Sequence, residues 1–292
     1  MHIAAAASRA TTILKKNPRL FCRVLIAKLN TTRPMPPLPA RKRIADVVFE
    51  FDLNRYRGTA PMYFGSYALP IVETMNRLLR PGDVFLDVGA NIGYLAAIAA
   101  SLVGPAGQVH CFEPVPEYFD RLQKLVALNP EYDIRVNSHA AGEAPGACTI
   151  YVTREPGQNT MVPAYKSGPE IVQTMEVPVI RLDSYLKEQA IERVAVIKID
   201  AEGFEMPILK GLEGYFQNSS RRPAIICEIA PRAYPLMGRK VSELAAYMSR
   251  YGYRAHDLID GTTPVNLEAI HHVDDVLFLA SASASASVSA SA

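Results

Sequence analysis

The sequence predicts an α/β protein with a doubly wound, mostly parallel sheet. Short apolar segments alternate with segments of helical periodicity over most of the 292 residues. Strands that alternate with helices are joined by right-handed crossovers and form parallel sheets. A glycine-containing turn at residues 89–93 also follows the first buried strand and opens a helix. Turns of this kind lie at the carboxyl ends of parallel strands, where ligands bind.

The elements are predicted in chain order from their apolar periods. Core strands are expected at 84–88, 108–112, 134–136, 194–199, 224–229, 253–258 and 274–280, with shorter alternating strands at 149–152 and 177–182. Helices are expected at 70–80, at 93–102, from residue 116 onward, at 205–214 and at 241–251.

Residues that break or start helices support these bounds. Pro81 and Gly82 end the first helix, Pro116 suits the first turn of another, and Gly252 closes the last one. A long loop without helical periodicity joins the last two strands, so we expect them to pair antiparallel.

Three regions are predicted along the chain. Residues 1–45 form an N-terminal basic arm with a weakly amphipathic stretch at 13–29 and a proline-rich linker after it. This arm is expected to contact a membrane or a partner weakly, or else to pack on its own domain. Residues 46–280 form the main domain, and the Ser/Ala repeat at 281–292 is expected to be a disordered tail.

The composition excludes several classes of protein. Lys and Arg total 31 against 29 Asp and Glu, which argues against a nucleic-acid partner because such binding needs a basic surface. The four cysteines show neither a disulfide framework nor zinc-ligand spacing. No apolar run is long enough to span a bilayer. We therefore expect a cytoplasmic protein, and no pattern indicates its oligomeric state.

The turn after the first strand is the most informative motif. It begins with Asp87 and continues through Gly89 and Asn91 to Gly93, so the glycines are spaced G-x-x-x-G. A pyrophosphate-binding turn would have the pattern G-x-G-x-x-G. The carboxylate of Asp87 at the strand end suits a ligand that carries an ammonium or sulfonium charge. These two features favour S-adenosylmethionine (SAM) over a nicotinamide dinucleotide.

Two further strand ends carry carboxylates. Glu113 follows the second strand, about 20 residues after the glycine turn, where a carboxylate can accept hydrogen bonds from ribose hydroxyls. Asp200 and Glu202 follow the strand at 194–199. Paired acids at this position can orient the donor, deprotonate an acceptor hydroxyl or hold a metal. Capping of the next helix is the alternative role.

Four runs resemble the FkbM family of SAM-dependent methyltransferases. They are DVFLDVGANIGY at 83–94, FEP at 112–114, RLD at 181–183 and IKIDAEG at 197–203, in the family's order. The resemblance covers about residues 60–280. It implies a class I methyltransferase fold, Rossmann-like, with a seven-stranded sheet and one antiparallel strand, and it implies O-methylation. It also implies that SAM is held by Asp87, Gly89, Ala90, Asn91, Gly93, Tyr94, Glu113 and Pro114, with Asp200 and Glu202 at the reaction centre.

The predicted function is therefore O-methylation of a hydroxyl on a sugar, glycolipid or secondary metabolite. Asp200 or Glu202 is the candidate general base, and no metal ion is assigned. His139, after the third strand, is a rival base, and a structural role for it is as well supported. Two other functions stay open: a nicotinamide-dependent oxidoreductase of Rossmann type, and a non-catalytic SAM-binding module.

Overall fold

The computed structural model describes residues 13–30, 40–51, 60–154, 157–166, 170–219 and 221–281. Its strands are β1 (Ala40–Ile44), β2 (Val47–Phe51), β3 (Val84–Val88), β4 (Gln108–Phe112), β5 (Asp133–Asn137), β6 (Ala140–Ala141), β7 (Gly146–Thr153), β8 (Ile171–Ile180), β9 (Val196–Ile199), β10 (Ala224–Ile229), β11 (Tyr253–Asp257) and β12 (Asp274–Ala280). Its helices are α1 (Pro18–Asn30), α2 (Ala60–Tyr63), α3 (Leu69–Leu78), α4 (Tyr94–Val103), α5 (Pro116–Leu128), α6 (Leu182–Glu188), α7 (Glu205–Lys210), α8 (Glu213–Asn218) and α9 (Val241–Arg250).

Seven strands form the central sheet in the order β11-β12-β10-β9-β3-β4-β5. Strands β10, β9, β3, β4 and β5 are parallel to one another, whereas β12 runs antiparallel to both β10 and β11. The class I methyltransferase fold, with one antiparallel strand, is therefore confirmed. The antiparallel pairing predicted for the last two strands is confirmed as well.

Successive residues of the central strands face opposite layers of helices, because side chains alternate along a strand. Phe85 packs with α4 and α5 on one side of the sheet, while its neighbour Leu86 packs with α6 to α9 on the other. Both side chains are fully buried. The nearly continuous apolar sequence of the central strands follows from this burial on two faces.

Most predicted elements lie where the sequence placed them, but the helix predicted at 205–214 is two short helices, α7 and α8. Helix α7 ends at Lys210, and the backbone of Gly211 then packs against Gly142. A Cβ atom at Gly211 would lie 2.2 Å from the carbonyl oxygen of Gly142. This close backbone contact, which a helical period does not reveal, ends the first helix.

A β-hairpin precedes the main sheet and was not predicted. Strands β1 and β2 pair antiparallel, and the predicted domain boundary at residues 45 and 46 falls in their turn. The buried side chains of β2 are Val47, Phe49 and Phe51. The Asn129 side chain also bonds both backbone groups of Val48, at 2.7 and 2.8 Å. The hairpin is thus packed into the core, and the division into three regions stays a prediction.

The arm contributes helix α1, which packs on α3. Ile13 and Leu20 are buried against Leu69, and Lys16 forms an ion pair of 2.8 Å with Asp257. No helix in the described part of the chain is long and apolar enough to cross a membrane. The proline-rich linker at 31–39 and the Ser/Ala repeat from residue 282 lie outside the described residues.

Candidate active site

A cleft of about 850 Å³, which includes space open to solvent, lies at the carboxyl ends of β3, β4 and β9. The order of strands explains its position. From β3 the chain continues to β4 on one side of the β9–β3 pair, and from β9 it continues to β10 on the other side. Most residues predicted to bind SAM or to act in catalysis line it: Asp87, Gly89, Ala90, Asn91, Tyr94, Glu113, Pro114, His139, Asp200 and Glu202. Strand ends separated by more than 100 residues therefore meet in one cavity.

Gly89 lets the backbone after β3 approach the strand end of β9. Its φ of 79° lies in the left-handed region, and a Cβ atom there would stand 1.9 Å from the carbonyl oxygen of Asp200. The amide of Asp200 in turn donates to the Val88 carbonyl at 3.0 Å. Any larger residue at position 89 would separate these two segments of the cleft.

Glu113 holds the next part of the turn. Its two carboxylate oxygens accept hydrogen bonds from the backbone N–H of Asn91 at 2.9 Å and of Val115 at 3.0 Å. Asn91 has a φ of 51°, a conformation that Asn tolerates better than most residues. Burial raises the pKa of Glu113 to about 7, although the backbone N–H groups oppose that shift. Glu113 therefore shapes the turn besides facing the cleft.

Asp87 is fully buried, and neither of its oxygens has a hydrogen-bond partner among the described residues. Burial raises its pKa to about 6. Its partner position on β9 is Lys198, whose Nζ donates to Asp200 Oδ2 at 2.7 Å. Burial opposes the charge of Lys198, but Asp200 and Asp87 outweigh it and raise the pKa of Lys198. A buried lysine ammonium is thus paired with Asp200 and attracted by the charge of Asp87.

Asp200 also belongs to a cluster of three carboxylates. Asp200, Glu202 and Glu228 each offer an oxygen within 4.8 Å of the others. Lys166 forms an ion pair of 3.2 Å with Glu202. Burial raises the pKa of Glu202, and burial together with Asp200 raises the pKa of Glu228. Burial and the neighbouring acids therefore favour the protonated form of Glu228, whereas lysines compensate the charges of the other two acids.

Glu202 has a strained backbone for a residue with a side chain. Its φ is 48°, in the left-handed region. Its carbonyl oxygen accepts a hydrogen bond of 2.7 Å from Thr160, and the next residue, Gly203, is held by Glu205 at 2.7 Å. Strain of about 1–3 kcal/mol persists only where surrounding contacts enforce it, and it is concentrated at functional sites.

Two predicted site residues differ from the others. Gly93 does not line the cleft: a Cβ atom there would lie 2.8 Å from Leu122 and 3.0 Å from Leu125, so its place in the turn has a packing reason. The role of Gly93 in SAM binding stays a prediction. His139 lines the cleft, and its Nδ1 is buried without a hydrogen-bond partner in the described part of the chain.

Several residues of the site were not assigned a role from sequence. Lys198, Tyr67, Met62 and Tyr118 line the cleft, and Lys166 contacts it through Glu202. One of them had a signal in the sequence, since a lysine within a buried strand is rare unless it is paired. The others lie in loops or on helices whose approach to the cleft depends on tertiary packing.

The donor set of the cleft fits SAM. The carboxylate of Asp87 is buried and unpartnered, an arrangement that is costly unless a ligand or solvent satisfies it. A cationic ligand would satisfy it, and SAM carries both an ammonium and a sulfonium. Glu113 lies at the end of the adjacent strand β4, where a ribose would be bound. Apolar side chains, including Phe112 and Ile150, line the same cleft and suit an adenine ring.

Comparison with known proteins identifies the family. The model of the methyltransferase FkbM domain matches residues 87–255, which is more than half of the chain. The chain is 31% identical over 161 residues to the 31-O-demethyl-FK506 methyltransferase FkbM of Streptomyces tacrolimicus, covering 46% of this chain and 61% of that protein. It is 29% identical over 143 residues to the hexuronic acid methyltransferase AglP of Haloferax volcanii, covering 47% and 52%.

These matches span 61% and 52% of the length of the two curated relatives. A solved structure of methyltransferase FkbM from Methylobacillus flagellatus KT is 15% identical, covers 89% of this chain and 59% of that one, and gives a TM-score of 0.41. The family match includes the glycine turn, Glu113 and the strand end with Asp200 and Glu202. The chain therefore belongs to the FkbM family of methyltransferases, whose methyl donor is SAM.

Proposed function

We propose that this protein transfers the methyl group of SAM to a hydroxyl of a sugar, glycolipid or secondary metabolite. The observation that carries the proposal is that Glu202 lies in the same cleft as Asp87, whose carboxylate has no described hydrogen-bond partner. Burial raises the pKa of Glu202. A hydroxyl is a weak nucleophile at neutral pH, so its methylation benefits from a base that removes the proton. Membership of a methyltransferase family favours this activity over a nicotinamide-dependent oxidation.

Each part of the cleft has one task in this proposal. Asp87 attracts the cationic end of the donor and Glu113 binds its ribose, while the backbone at Gly89 and Asn91 forms the wall between them. SAM, when bound, supplies an electrophilic methyl group. Alignment of the two reactants in the cleft is worth up to about 7–11 kcal/mol of the barrier.

The acceptor hydroxyl loses its proton as the new C–O bond forms and the C–S bond of the donor breaks. Glu202 takes the proton on its carboxylate, because burial makes this carboxylate a stronger base than a solvent-exposed glutamate. Asp200 is held by Lys198 at 2.7 Å, so its role is to position that lysine and the strand end. His139 is the alternative base, since it lines the same cleft and its Nδ1 has no described hydrogen-bond partner.

The names of the two relatives support an oxygen acceptor. One is named for a hexuronic acid, which is a sugar acid, and the other for the 31-O position of FK506. Strands β7 and β8 lie outside the central seven-stranded sheet. The loop at 157–166 between them brings Asn159 and Met161 to the cleft. We infer that this segment selects among acceptors.

The test is a screen for methyl transfer with radiolabelled SAM. Purified protein is incubated with panels of sugars, glycolipids, secondary-metabolite alcohols and, for comparison, amines. The proposal expects label in a methyl ether, identified by mass spectrometry, and its loss in Glu202→Gln. Label in an N-methyl product would overturn the hydroxyl assignment. Binding of S-adenosylhomocysteine without turnover on any panel would favour the non-catalytic module.

A further inference from the structure

We propose that helix α1, with the turn of helix before it, is a docking surface for an anionic lipid bilayer. The proposal does not depend on which acceptor the cleft methylates. It rests on an outward apolar stripe, on the charge of the first 45 residues, and on where the helix lies relative to the cleft.

The outward stripe consists of Leu14, Pro18, Cys22, Leu25 and Ile26, all exposed. The first four are spaced by four, four and three residues, so they share one face of a helix. Backbone hydrogen bonds from Asn17 to Ile13 and from Phe21 to Asn17 continue the helix through its start. The aliphatic residues Leu14, Leu25 and Ile26 are 45%, 51% and 58% exposed.

The contact of α1 with its own domain does not use this stripe. Ile13 and Leu20 are buried against Leu69, with Phe21 and Val24 partly buried beside them. The apolar face that a helix normally buries is therefore already occupied. A second apolar face on the same helix requires another explanation.

The charges on α1 divide in the same way. Lys16 pairs with Asp257 at 2.8 Å and with Asp260 at 3.1 Å, and Arg23 pairs with Glu73. These contacts fasten the helix to the domain. Lys15 and Arg19, which follow Leu14 and Pro18 in sequence, are exposed and form no ion pair with any described residue. Among the described residues, two cations without an ion pair thus lie at the edge of the outward stripe.

The whole region is positively charged. Residues 1–45 contain ten Lys and Arg and neither Asp nor Glu, whereas the remaining residues contain 21 Lys and Arg against 29 Asp and Glu. The near-neutral total therefore conceals a basic arm on an acidic body. Clusters of Lys and Arg on an amphipathic helix are attracted to anionic lipid surfaces.

The apolar stripe distinguishes a bilayer from a nucleic acid. Leu14, Leu25 and Ile26 gain nothing from phosphate groups, but they can enter the boundary between headgroups and acyl chains while Lys15 and Arg19 stay at the headgroups. A nucleic acid would use the cations alone.

Docking through α1 would bring the cleft near the lipid surface. Leu69, against which α1 packs, is two residues from Tyr67, which lines the cleft. Two residues span at most about 7 Å. An acceptor dissolved in the membrane or anchored to it would therefore meet the enzyme close to its site.

The experiment is co-sedimentation of the full chain with vesicles of phosphatidylcholine alone or with about one third phosphatidylglycerol. Binding to the anionic vesicles is expected to be at least about tenfold stronger, and to weaken as salt is raised. Leu25→Ser with Ile26→Ser tests the apolar stripe, and Lys15→Glu with Arg19→Glu tests the free cations. Each pair is expected to reduce binding about tenfold.

Matched controls change the same residue types elsewhere on the surface. Val172→Ser with Leu236→Ser removes two exposed apolar side chains, and Lys187→Glu with Arg254→Glu reverses two exposed cations. Thermal unfolding and S-adenosylhomocysteine affinity report that each variant is folded. The proposal is overturned if the wild type ignores anionic vesicles, or if the controls lose as much binding as the α1 variants. Tighter binding to an RNA or DNA duplex, unaffected by the Leu25 and Ile26 changes, would overturn it in favour of nucleic acid.

Discussion

Asp87 and Lys198 occupy partner positions on β3 and β9, and both are almost completely buried. The carboxylate has no described hydrogen-bond partner, while the ammonium donates to Asp200 at 2.7 Å. Asp87 therefore attracts Lys198 without a direct hydrogen bond between them. The cost of burying the Lys198 ammonium is offset by its hydrogen bond to Asp200, whereas no described hydrogen bond offsets the cost of burying the Asp87 carboxylate.

We expect Asp87→Asn to separate stability from function. At about pH 8 the wild-type carboxylate is ionised and unpartnered, so the amide should leave the free energy of unfolding unchanged or raise it by on the order of 1–2 kcal/mol. Because the ligand's cationic charge loses its counterion, affinity for S-adenosylhomocysteine should fall at least tenfold. Urea unfolding and calorimetric titration measure the two effects, with the exposed Glu131→Gln as control. A large loss of stability would contradict this account.

Gly89 allows a test of close packing against backbone strain. Gly89 and Gly82 have φ values of 79° and 85°, but only at Gly89 would a Cβ atom meet other atoms, at 1.9 Å from the Asp200 carbonyl oxygen. Gly82→Ala should lose about 1 kcal/mol from strain alone. Gly89→Ala should lose at least about 2 kcal/mol more, together with donor binding, because β3 and β9 must move apart.

Urea unfolding of the two glycine variants measures that difference. Equal losses would mean that the segment after β9 yields easily, and that the close approach at Gly89 does not hold the cleft together.

The identity of the base is testable with one acceptor from the screen. Glu202→Gln is expected to lower kcat by about 10²–10⁴-fold while leaving S-adenosylhomocysteine affinity within about twofold, because the carboxylate acts on the acceptor. His139→Asn should change kcat little. The reverse pattern would assign the proton transfer to His139 and leave Glu202 a structural role.

Lys166 provides a readout that does not depend on loss of activity. Its ammonium lies 3.2 Å from Glu202 and lowers the pKa of that carboxyl, opposing burial. Lys166→Met should therefore raise the pKa further and move the rising limb of the kcat profile to higher pH. An unmoved profile would show that Glu202 does not set that limb.

Stability should depend on pH through Glu205. This side chain is fully buried, its carboxylate accepts from Gly203 at 2.7 Å, and burial raises its pKa to about 8. In the unfolded chain a glutamate has a pKa of about 4.3, so the stabilisation from the protonated form is complete below that pH and is lost as pH rises through about 8.

Glu205→Gln removes this titration. The variant should match the wild type to within about 1 kcal/mol at about pH 5 and exceed its free energy of unfolding by about 3–4 kcal/mol at about pH 8. Urea unfolding across that range measures it, and the exposed Glu131→Gln should leave the wild-type slope intact. Parallel curves for Glu205→Gln and wild type would mean that Glu205 titrates normally.

The parts of the fold that were predictable are those that depend on local pattern. The strand from Val84 to Val88 and its neighbours are apolar runs between breakers, and a carboxylate at a strand end marks the ligand edge of a parallel sheet. For that reason Asp87, Glu113, Asp200 and Glu202 could be placed at one cleft before the structure was known.

The parts that were missed depend on register and long-range packing. The role of Lys198 depends on β9 lying beside β3. More than 100 residues separate these two strands in the chain, so the local sequence around Lys198 does not reveal that role. Similarly, the hairpin at Ala40–Phe51 is fixed by Asn129 from a distant helix end. The local periodicity of apolar residues does not reveal such long-range contacts.

Removal of metal ions should leave activity unchanged. The oxygens of Asp200, Glu202 and Glu228 lie within 4.8 Å of one another, a spacing that a divalent cation could use. However, Lys198 and Lys166 already compensate two of these acids, and burial together with the neighbouring acids raises the pKa of Glu228 and favours its protonated form. A cation would have to displace two ammonium groups and a proton. We therefore expect the same kcat in EDTA and in added Mg²⁺, measured with the screened acceptor. Loss of activity in EDTA that Mg²⁺ restores would instead identify the three carboxylates as a metal site, and Lys166→Met should then tighten its affinity for Mg²⁺.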